Sequence, residues 1–184
     1  GGVTDEYISA FKEMWTSNDP HFKGDHISFS NIAFEPKPIQ KPYPPIWTGG
    51  ESPAALRRAG KYADVWYPIG NNPKYRLLKP EKLYSYFEKV KQNAYEAGRD
   101  PEAISLAYAA SWYDERKAHK SDDNRTILTG SFNQIASDIG ELKEVGVEYL
   151  LIDVLGFDLL SSSTGESKER MESFYTEIIS QVVN

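Results

Sequence analysis

Residues 44–68 read PPIWTGGESPAALRRAGKYADVWYP, and the order of elements within them indicates the fold class. An apolar strand at 46–48 ends in Gly49 and Gly50. A helix follows at once, because Ser52 and Pro53 are the residue types favoured at the N-cap and at the first helical position. The apolar residues 65–67 form the next short strand. A strand, a tight turn, a helix and a second strand in this order predict a βαβ unit with parallel strands.

The same alternation continues to the end of the chain. Strands are predicted at 46–48, 65–67, 104–110 and 147–155, and helices at 52–62, 80–97 and 131–145, with a last helix around 171–182. The last strand is almost wholly apolar, as expected for a strand covered on both faces. Four such units are half of an eight-stranded barrel. An open doubly wound sheet has the same alternation, and periodicity does not separate the two.

A helix and an excursion precede this alternation, and the whole chain, 1–184, is predicted to form a single domain. Thr4 is a candidate N-cap for a helix that continues to Trp15. An excursion at about 18–45 follows, with alternating residues that allow short strands at 27–29 and 32–34, and then a proline-rich segment that excludes helix. A charged segment, 114–125, is expected to be a solvated loop.

Composition excludes several classes of function. Cysteine is absent, which removes disulfides and thiolate chemistry, and three histidines make a metal site unexpected. The net charge of −6, without a basic stripe, argues against nucleic acid as a partner. No apolar run approaches the roughly 20 residues of a membrane span, and no signal segment is present, so we expect a cytoplasmic protein. The first two residues are Gly1 and Gly2, which we interpret as a tag remnant or a cut inside a longer gene.

The turn after the first strand of the alternation is the candidate site. Gly49 and Gly50 let a ligand approach the backbone closely, and the helix that follows offers free N–H groups and the positive end of its dipole. With the hydroxyl of Ser52, these groups form a plausible phosphate cradle. The pattern lacks the lysine of a Walker loop and is not G-x-G-x-x-G. A plain tight turn fits the same residues.

Longer motifs resemble one family. Residues 34–70, FEPKPIQKPYPPIWTGGESPAALRRAGKYADVWYPIG, resemble the luciferase-like monooxygenases, particularly the branch that uses deazaflavin. Further matches cover the rest of the chain: TDEYISAFKEMW at 4–15, HFKG at 21–24, EAGRDPEAI at 96–104, and LTGSFNQIASDI at 128–139 followed by GVEYLLIDV at 146–154. One departure is Val65, where the family usually has glycine.

The resemblance implies a fold, a cofactor and a reaction. It implies that this chain is the C-terminal half of a (β/α)8 TIM-type barrel and that the protein forms a homodimer. The cofactor would be FMN or a deazaflavin of the F-420 type, used to transfer hydride or activate oxygen on a small organic substrate. The residues implied to hold the cofactor phosphate are Thr48, Gly49, Gly50, Ser52 and Pro53. The family's main catalytic side chains precede the matched region, so we assign none and expect weak or no activity from this chain alone.

Two other functions remain open. A half barrel could be a non-catalytic binding or assembly module that dimerises, because it leaves two strand edges unpaired. An unrelated barrel hydrolase or lyase could use the same phosphate loop.

Several other residue types could carry chemistry, and each has a structural alternative. His21 and His26 could move protons but are expected in surface turns, and Arg57 or Arg58 could reach a phosphate but are expected to be solvated or ion-paired. The aromatic residues Trp47, Trp66 and Tyr67 are expected in the core rather than against a flavin. Asp153 lies at the end of the last strand, where barrel chemistry occurs, and Asp64 is expected to end the helix that precedes it.

Overall fold

The structure is a computed structural model that describes residues 1–115, 125–154 and 164–182. Its helices are α1 (Gly2–Thr16), α2 (Pro53–Tyr62), α3 (Pro80–Glu96), α4 (Phe132–Glu144), α5 (Thr164–Phe174) and α6 (Ser180–Val182). Its strands are β1 (Phe22–Lys23), β2 (Ser28–Phe29), β3 (Trp47–Thr48), β4 (Val65–Trp66), β5 (Ser105–Ala110) and β6 (Val147–Ile152). A 3₁₀ turn (Pro101–Ala103) precedes β5, and a π-helical segment (Tyr175–Ile179) joins α5 to α6.

The main sheet has four parallel strands in the order β3-β4-β5-β6. Trp47 pairs with Val65, and Val65 pairs with Ser105. Each strand therefore adds beside its predecessor, and an α-helix lies between each pair. The fold is α/β with four parallel strands, as the sequence predicts.

The core lies between this sheet and its helices. One apolar cluster joins helix residues to strand residues, including Leu56, Leu83, Phe87, Ile135 and Leu142 from helices and Trp66, Leu106, Tyr108 and Ala110 from strands. Because α2, α3 and α4 contribute to the same cluster, they cover one face of the sheet. A doubly wound sheet places helices on both faces. The described part of the chain thus has the arrangement of a partial barrel.

The opposite face of the sheet is open at β3 and β6. Trp47 is 45% exposed, Tyr149 is 52% exposed and Leu151 is 57% exposed. The prediction that the last strand is covered on both faces is therefore wrong for this chain, because only Val147, Leu150 and Ile152 of β6 pack against the helix-side core. The rings of Trp47 and Tyr149 lie 5.2 Å apart and cross this face. We call Trp47, Tyr149 and Leu151 the free face.

The excursion is a small hairpin packed on α1. Phe22 pairs with Phe29 in an antiparallel β1–β2 ladder, which confirms a strand within the predicted range 27–29. Thr4 is not an N-cap, because α1 already begins after Gly1, whose carbonyl accepts a hydrogen bond from the Arg58 guanidinium at 3.0 Å. Within the described range 1–115, no strand forms at 32–34, and the proline-rich segment contains no helix, as predicted.

The C-terminal helices are α4, which has a side-chain cap, and a last helix that is only partly buried. A capping box begins α4, since the side chains of Ser131 and Gln134 each accept from the other residue's backbone N–H. In the last helix, Ile178 is buried, whereas Met171 and Tyr175 are 58% and 68% exposed. Most of the predicted loop 114–125 and the end of the predicted strand 147–155 lie outside the described residues.

Candidate functional site

The turn between β3 and α2 contains the residues of the predicted cradle. Ser52 is the N-cap of α2, and its Oγ accepts a hydrogen bond from the N–H of Ala55 at 3.2 Å. Pro53 occupies the first helical position. The structure therefore brings Thr48, Gly49, Gly50, Ser52 and Pro53 together at the carboxyl end of β3, where barrel enzymes carry their sites.

The close packing of the turn explains why glycine occupies both positions 49 and 50. A Cβ on Gly49 would lie 2.9 Å from the carbonyl oxygen of Tyr67. Gly50 has φ +94°, a conformation that L side chains rarely adopt, and its Cβ would lie 3.0 Å from that of Ala55. The turn can therefore approach β4 and α2 this closely only because glycine has no Cβ at either position.

Three consecutive backbone donors of the cradle have no acceptor in the described part of the chain. They are the N–H groups of Gly50, Glu51 and Ser52. The hydroxyl oxygen of Thr48 is buried, and it too has no partner among the residues that the structure describes. Since buried or clustered polar groups are normally paired, this arrangement suits a ligand that accepts hydrogen bonds.

Glu51 is a functional candidate that sequence reasoning missed. Its side chain is buried, with 5% exposure, and its Oε1 accepts hydrogen bonds from the backbone N–H groups of Ile69 and Gly70 at 3.0 and 3.1 Å. The indole N–H of Trp66 donates to the carbonyl oxygen of Gly50 at 3.0 Å. These bonds join the cradle to the loop after β4. The only signal in the sequence is a carboxylate directly after two glycines.

The loops after β4 and β5 continue the same surface. A Cβ on Gly70 would lie 2.7 Å from the hydroxyl of Tyr108, which donates to the carbonyl oxygen of Leu77 at 2.5 Å. Burial, and then the nearby negative charge of Glu51, raise the pKa of Tyr108 well above its usual value, so the hydroxyl stays protonated. Asn71 donates to the hydroxyl of Ser111 at 3.1 Å. Three consecutive strand ends are therefore linked by hydrogen bonds and close contacts.

An open pocket lies over these strand ends. Its volume is about 460 Å³, and its walls include Gly49, Gly50, Tyr67, Ile69 and Asn71. The volume falls in the range of roughly 300–1,000 Å³ that is usual for small-molecule sites. The cradle and the pocket share the two glycines, so a ligand with a phosphate at the cradle could extend over the strand ends.

The remaining candidates mostly take structural positions. The guanidinium of Arg58 pairs with Asp5 at 2.5 Å, as the structural alternative predicted, while Arg57 lines a separate pocket beside α2. The imidazole of His21 is 79% exposed, which fits a surface turn. His26 is also exposed, and its N–H donates to Glu6 at 2.9 Å.

Most of the aromatic and acidic candidates also occupy structural positions. Trp66 is fully buried, as predicted, whereas Trp47 lies on the free face and packs on Tyr67 at 5.6 Å between ring centroids. Asp64 follows the end of α2, and its carboxylate accepts from the N–H of Ile46 at 2.9 Å. Asp153 extends β6, since its N–H donates to the carbonyl oxygen of Ala110 at 3.1 Å. Val65 is buried in β4.

Neither a metal centre nor a membrane span occurs within the described residues. No group of three or more histidine, aspartate or glutamate side chains in those ranges could hold a metal ion. No helix within the same ranges has the length and apolarity to cross a membrane.

Comparison with known proteins gives consistent matches. The family model described as luciferase-like monooxygenase matches residues 1–119. An FMNH2-dependent dimethylsulfone monooxygenase of Pseudomonas putida is 29% identical over 193 residues, which cover 84% of this chain and 53% of that protein. The chain thus spans about half the length of this curated relative.

Solved structures agree on the fold. The coenzyme F420-dependent tetrahydromethanopterin reductase of Methanopyrus kandleri superposes with a TM-score of 0.65 at 16% identity, covering 98% of this chain and 62% of that one. An F420-dependent secondary alcohol dehydrogenase, in complex with an F420–acetone adduct, gives 0.67 at 19% identity, covering 97% and 61%. These likenesses establish a shared architecture with this chain.

Proposed function

The chain belongs to the luciferase-like monooxygenase family, and from this premise we propose that it is part of a flavin- or deazaflavin-dependent oxidoreductase. In this proposal it is the C-terminal half of the barrel, and the cradle binds the phosphate of FMN or of a deazaflavin. The substrate is a small organic molecule. Family membership leaves the alternative of an unrelated barrel hydrolase or lyase without support.

The observation that carries the proposal is the row of unpaired donors at the cradle. The N–H groups of Gly50, Glu51 and Ser52 have no acceptor among the described residues and lie at the positive end of α2. A phosphate offers several acceptor oxygens and two negative charges, so it would satisfy all three donors. The hydroxyl of Ser52 uses its oxygen to accept from Ala55, which leaves its hydrogen to donate to the same phosphate.

The residues of the cradle fit such a group. Gly49 and Gly50 let the turn pack tightly against Tyr67 and Ala55, which holds the free N–H groups at the start of α2, and Pro53 starts the helix without an N–H of its own. The cofactor, when bound, supplies hydride transfer or oxygen activation, while this chain binds and orients it. The pocket over Tyr67 and Ile69 would take the part of the cofactor beyond the phosphate.

Titration of this chain with FMN and with riboflavin, followed by flavin fluorescence, tests the cradle. The two ligands differ by the phosphate. We expect FMN to bind about tenfold or more tightly than riboflavin, because hydrogen bonds to a charged group contribute about 1.5–3 kcal/mol. Gly50→Asp should remove this advantage by crowding the turn and repelling the phosphate, and Ser52→Ala should reduce it.

Gly98→Asp is the matched control. Gly98 also has a positive φ, of +73°, but it lies past the end of α3, and no described atom lies within 4 Å of the position that its Cβ would take. Gly98→Asp therefore adds the same negative charge as Gly50→Asp, but away from the cradle. Equal affinities for FMN and riboflavin in the unmodified chain, or a preference for FMN that Gly50→Asp and Ser52→Ala leave unchanged, would remove the cradle assignment.

A second function is favoured by the free face. Trp47, Tyr149 and Leu151 expose apolar surface, and β3 and β6 each have one unpaired edge in the described sheet. Open edges and exposed apolar patches are typical of surfaces that pair with another chain. We therefore keep a half-barrel assembly module, present as a homodimer, as the alternative proposal.

Light scattering during gel filtration tests the assembly module. The alternative proposal requires a dimer that Tyr149→Lys converts into monomer, because a charge at the middle of the free face opposes burial. Glu148→Lys is the control, since it places a lysine at the position directly before Tyr149 on β6, which is also exposed. A chain that is monomeric at all concentrations contradicts the alternative and leaves the oxidoreductase proposal untouched.

A further inference from the structure

A second pocket lies between α2 and α3, beside the cradle. Its volume is about 240 Å³, and its polar walls include Glu51, Arg57, Tyr75, Tyr86 and Lys89. This volume corresponds to roughly eight water molecules at about 30 Å³ each, so the pocket suits a ligand smaller than a flavin. It shares Glu51 with the pocket over the strand ends and is lined by Pro53 of the cradle, but neither glycine of the cradle lines it.

The two cations of this pocket differ from the paired arginines of the molecule. Arg58, Arg99, Arg125 and Arg170 each pair with a carboxylate, from Asp5, Asp64, Asp138 and Glu115 respectively. Within the described ranges, Arg57 and Lys89 form no ion pair, and the ammonium of Lys89 lies 4.4 Å from the ring centroid of Tyr86. Arg57 and Lys89 therefore have charge available for a ligand.

The carboxylate of Glu51 also lies in the pocket wall, so Arg57, Lys89 and Glu51 together give the walls a net charge of +1. Glu51 is almost fully buried, and one of its oxygens already accepts two backbone N–H bonds from the loop after β4. The side chains of Tyr75 and Tyr86 add hydroxyl groups that can donate hydrogen bonds. The walls thus combine two exposed positive charges and one buried carboxylate with neutral donors, and positive charge is in excess.

We propose that this pocket is an anion-binding subsite for a small molecule that carries phosphate groups, and that it is separate from the cradle. A guanidinium binds two phosphate oxygens at once through its planar fork, while an ammonium acts as a point charge. Arg57 on α2 and Lys89 on α3 would hold such a ligand from both helices. The subsite does not depend on the function proposed for the cradle.

Calorimetric titration of this chain with pyrophosphate, without magnesium, tests the subsite. Pyrophosphate carries two phosphate groups and fits the volume. We expect pyrophosphate to bind the subsite in addition to any that the cradle takes up, and this binding should weaken with salt. The double variant Arg57→Ala with Lys89→Ala should bind about tenfold more weakly or worse, because it removes both positive charges that would contact phosphate oxygens.

Arg76→Ala with Lys82→Ala is the matched control. Both residues are exposed and lie near the pocket in sequence, but neither lines it, and the change in net charge is the same. This control should bind pyrophosphate as the unmodified chain does. An equal loss in both double variants would assign the binding to general surface charge and overturn the proposal, as would no binding to the unmodified chain.

Gly50→Asp separates the subsite from the cradle. It should weaken FMN binding and leave pyrophosphate binding intact. Loss of pyrophosphate binding in Gly50→Asp, with retention in the Arg57 and Lys89 variant, would place the anion at the cradle and overturn the subsite. Failure of FMN to bind would count against the cradle proposal alone.

Discussion

The carboxylate of Glu51 accepts a hydrogen bond from the backbone N–H of Gly70 at 3.1 Å, and thereby joins the loops that follow two neighbouring strands. The same oxygen also accepts from Ile69. A buried carboxylate with such partners fixes one loop relative to the other. The shape of the cradle therefore depends on a side chain that points away from its row of free donors, toward the next strand end.

Replacement of Glu51 should distinguish its acceptor role from its charge. Glu51→Ala leaves the N–H groups of Ile69 and Gly70 without a partner, and we expect it to lower the free energy of unfolding by about 2–3 kcal/mol. Glu51→Gln keeps a side-chain carbonyl that can accept from the same groups, so it should cost less than half as much. Urea unfolding of the three proteins measures both values. Equal losses in the two variants would show that the charge, and not the acceptor, matters.

Two glycine-to-alanine replacements should change the free energy of unfolding in opposite directions. Gly50→Ala forces a side chain into φ +94° and against Ala55, so we expect a loss of about 1–3 kcal/mol. Gly140→Ala lies inside α4, where no described atom comes within 4 Å of the added Cβ, and it should stabilise the protein by up to about 1 kcal/mol. Thermal unfolding gives both signs. A stabilising Gly50→Ala would mean that the turn does not need its left-handed conformation.

The sequence predicts the helix-covered sheet well because its signals are local. Ser52–Pro53, the Ser131–Gln134 capping box and the apolar strands each depend on residues close in the chain. Thr4 illustrates what local signals miss, since α1 begins earlier, where Gly1 meets Arg58 from 57 residues away. Glu51 is missed for the same reason, because its partners belong to the next strand end. The exposure of Tyr149 and Leu151 depends on what covers the sheet, which no pattern within one strand can reveal.

The ion pair between Arg125 and Asp138 should contribute strongly to stability. Asp138 is 2% exposed, accepts two guanidinium hydrogen bonds at 2.6 Å, and also accepts from the N–H of Leu128. Asp138→Ala leaves an arginine that is only 11% exposed without this partner, so we expect a loss of about 3–5 kcal/mol in urea unfolding.

A double variant and an exposed pair test the cause of that loss. Arg125→Met with Asp138→Leu removes both charges and should be less destabilising than Asp138→Ala alone. Glu102→Ala breaks an ion pair with Lys91 in which the glutamate is 75% exposed, and should cost less than about 1 kcal/mol. If Asp138→Ala cost no more than Glu102→Ala, burial of the pair would not contribute to the stability of the fold.

Acid should detach the β1–β2 hairpin from α1 through Glu6. The carboxylate of Glu6 accepts backbone N–H bonds from Asp25 and His26, each at 2.9 Å, and from Ile27 at 3.2 Å. The bond from His26 is the largest cause that lowers the pKa of Glu6 below its ordinary value of 4.5, with Asp25 and Ile27 adding to it against partial desolvation. A depressed pKa in the folded protein means that this attachment is fully stabilising above pH 4.5 and is lost as the pH falls through the lowered value.

Hydrogen exchange at the amides of residues 25–27 should therefore accelerate, relative to base-catalysed exchange in an unstructured peptide, in that acidic range. The amide of Ala107 in β5 serves as the internal reference for global unfolding, and Glu6→Gln should remove the acid-dependent step. Protection at residues 25–27 that follows Ala107 at every pH, in both proteins, would show that the hairpin is held by its aromatic packing and not by this carboxylate.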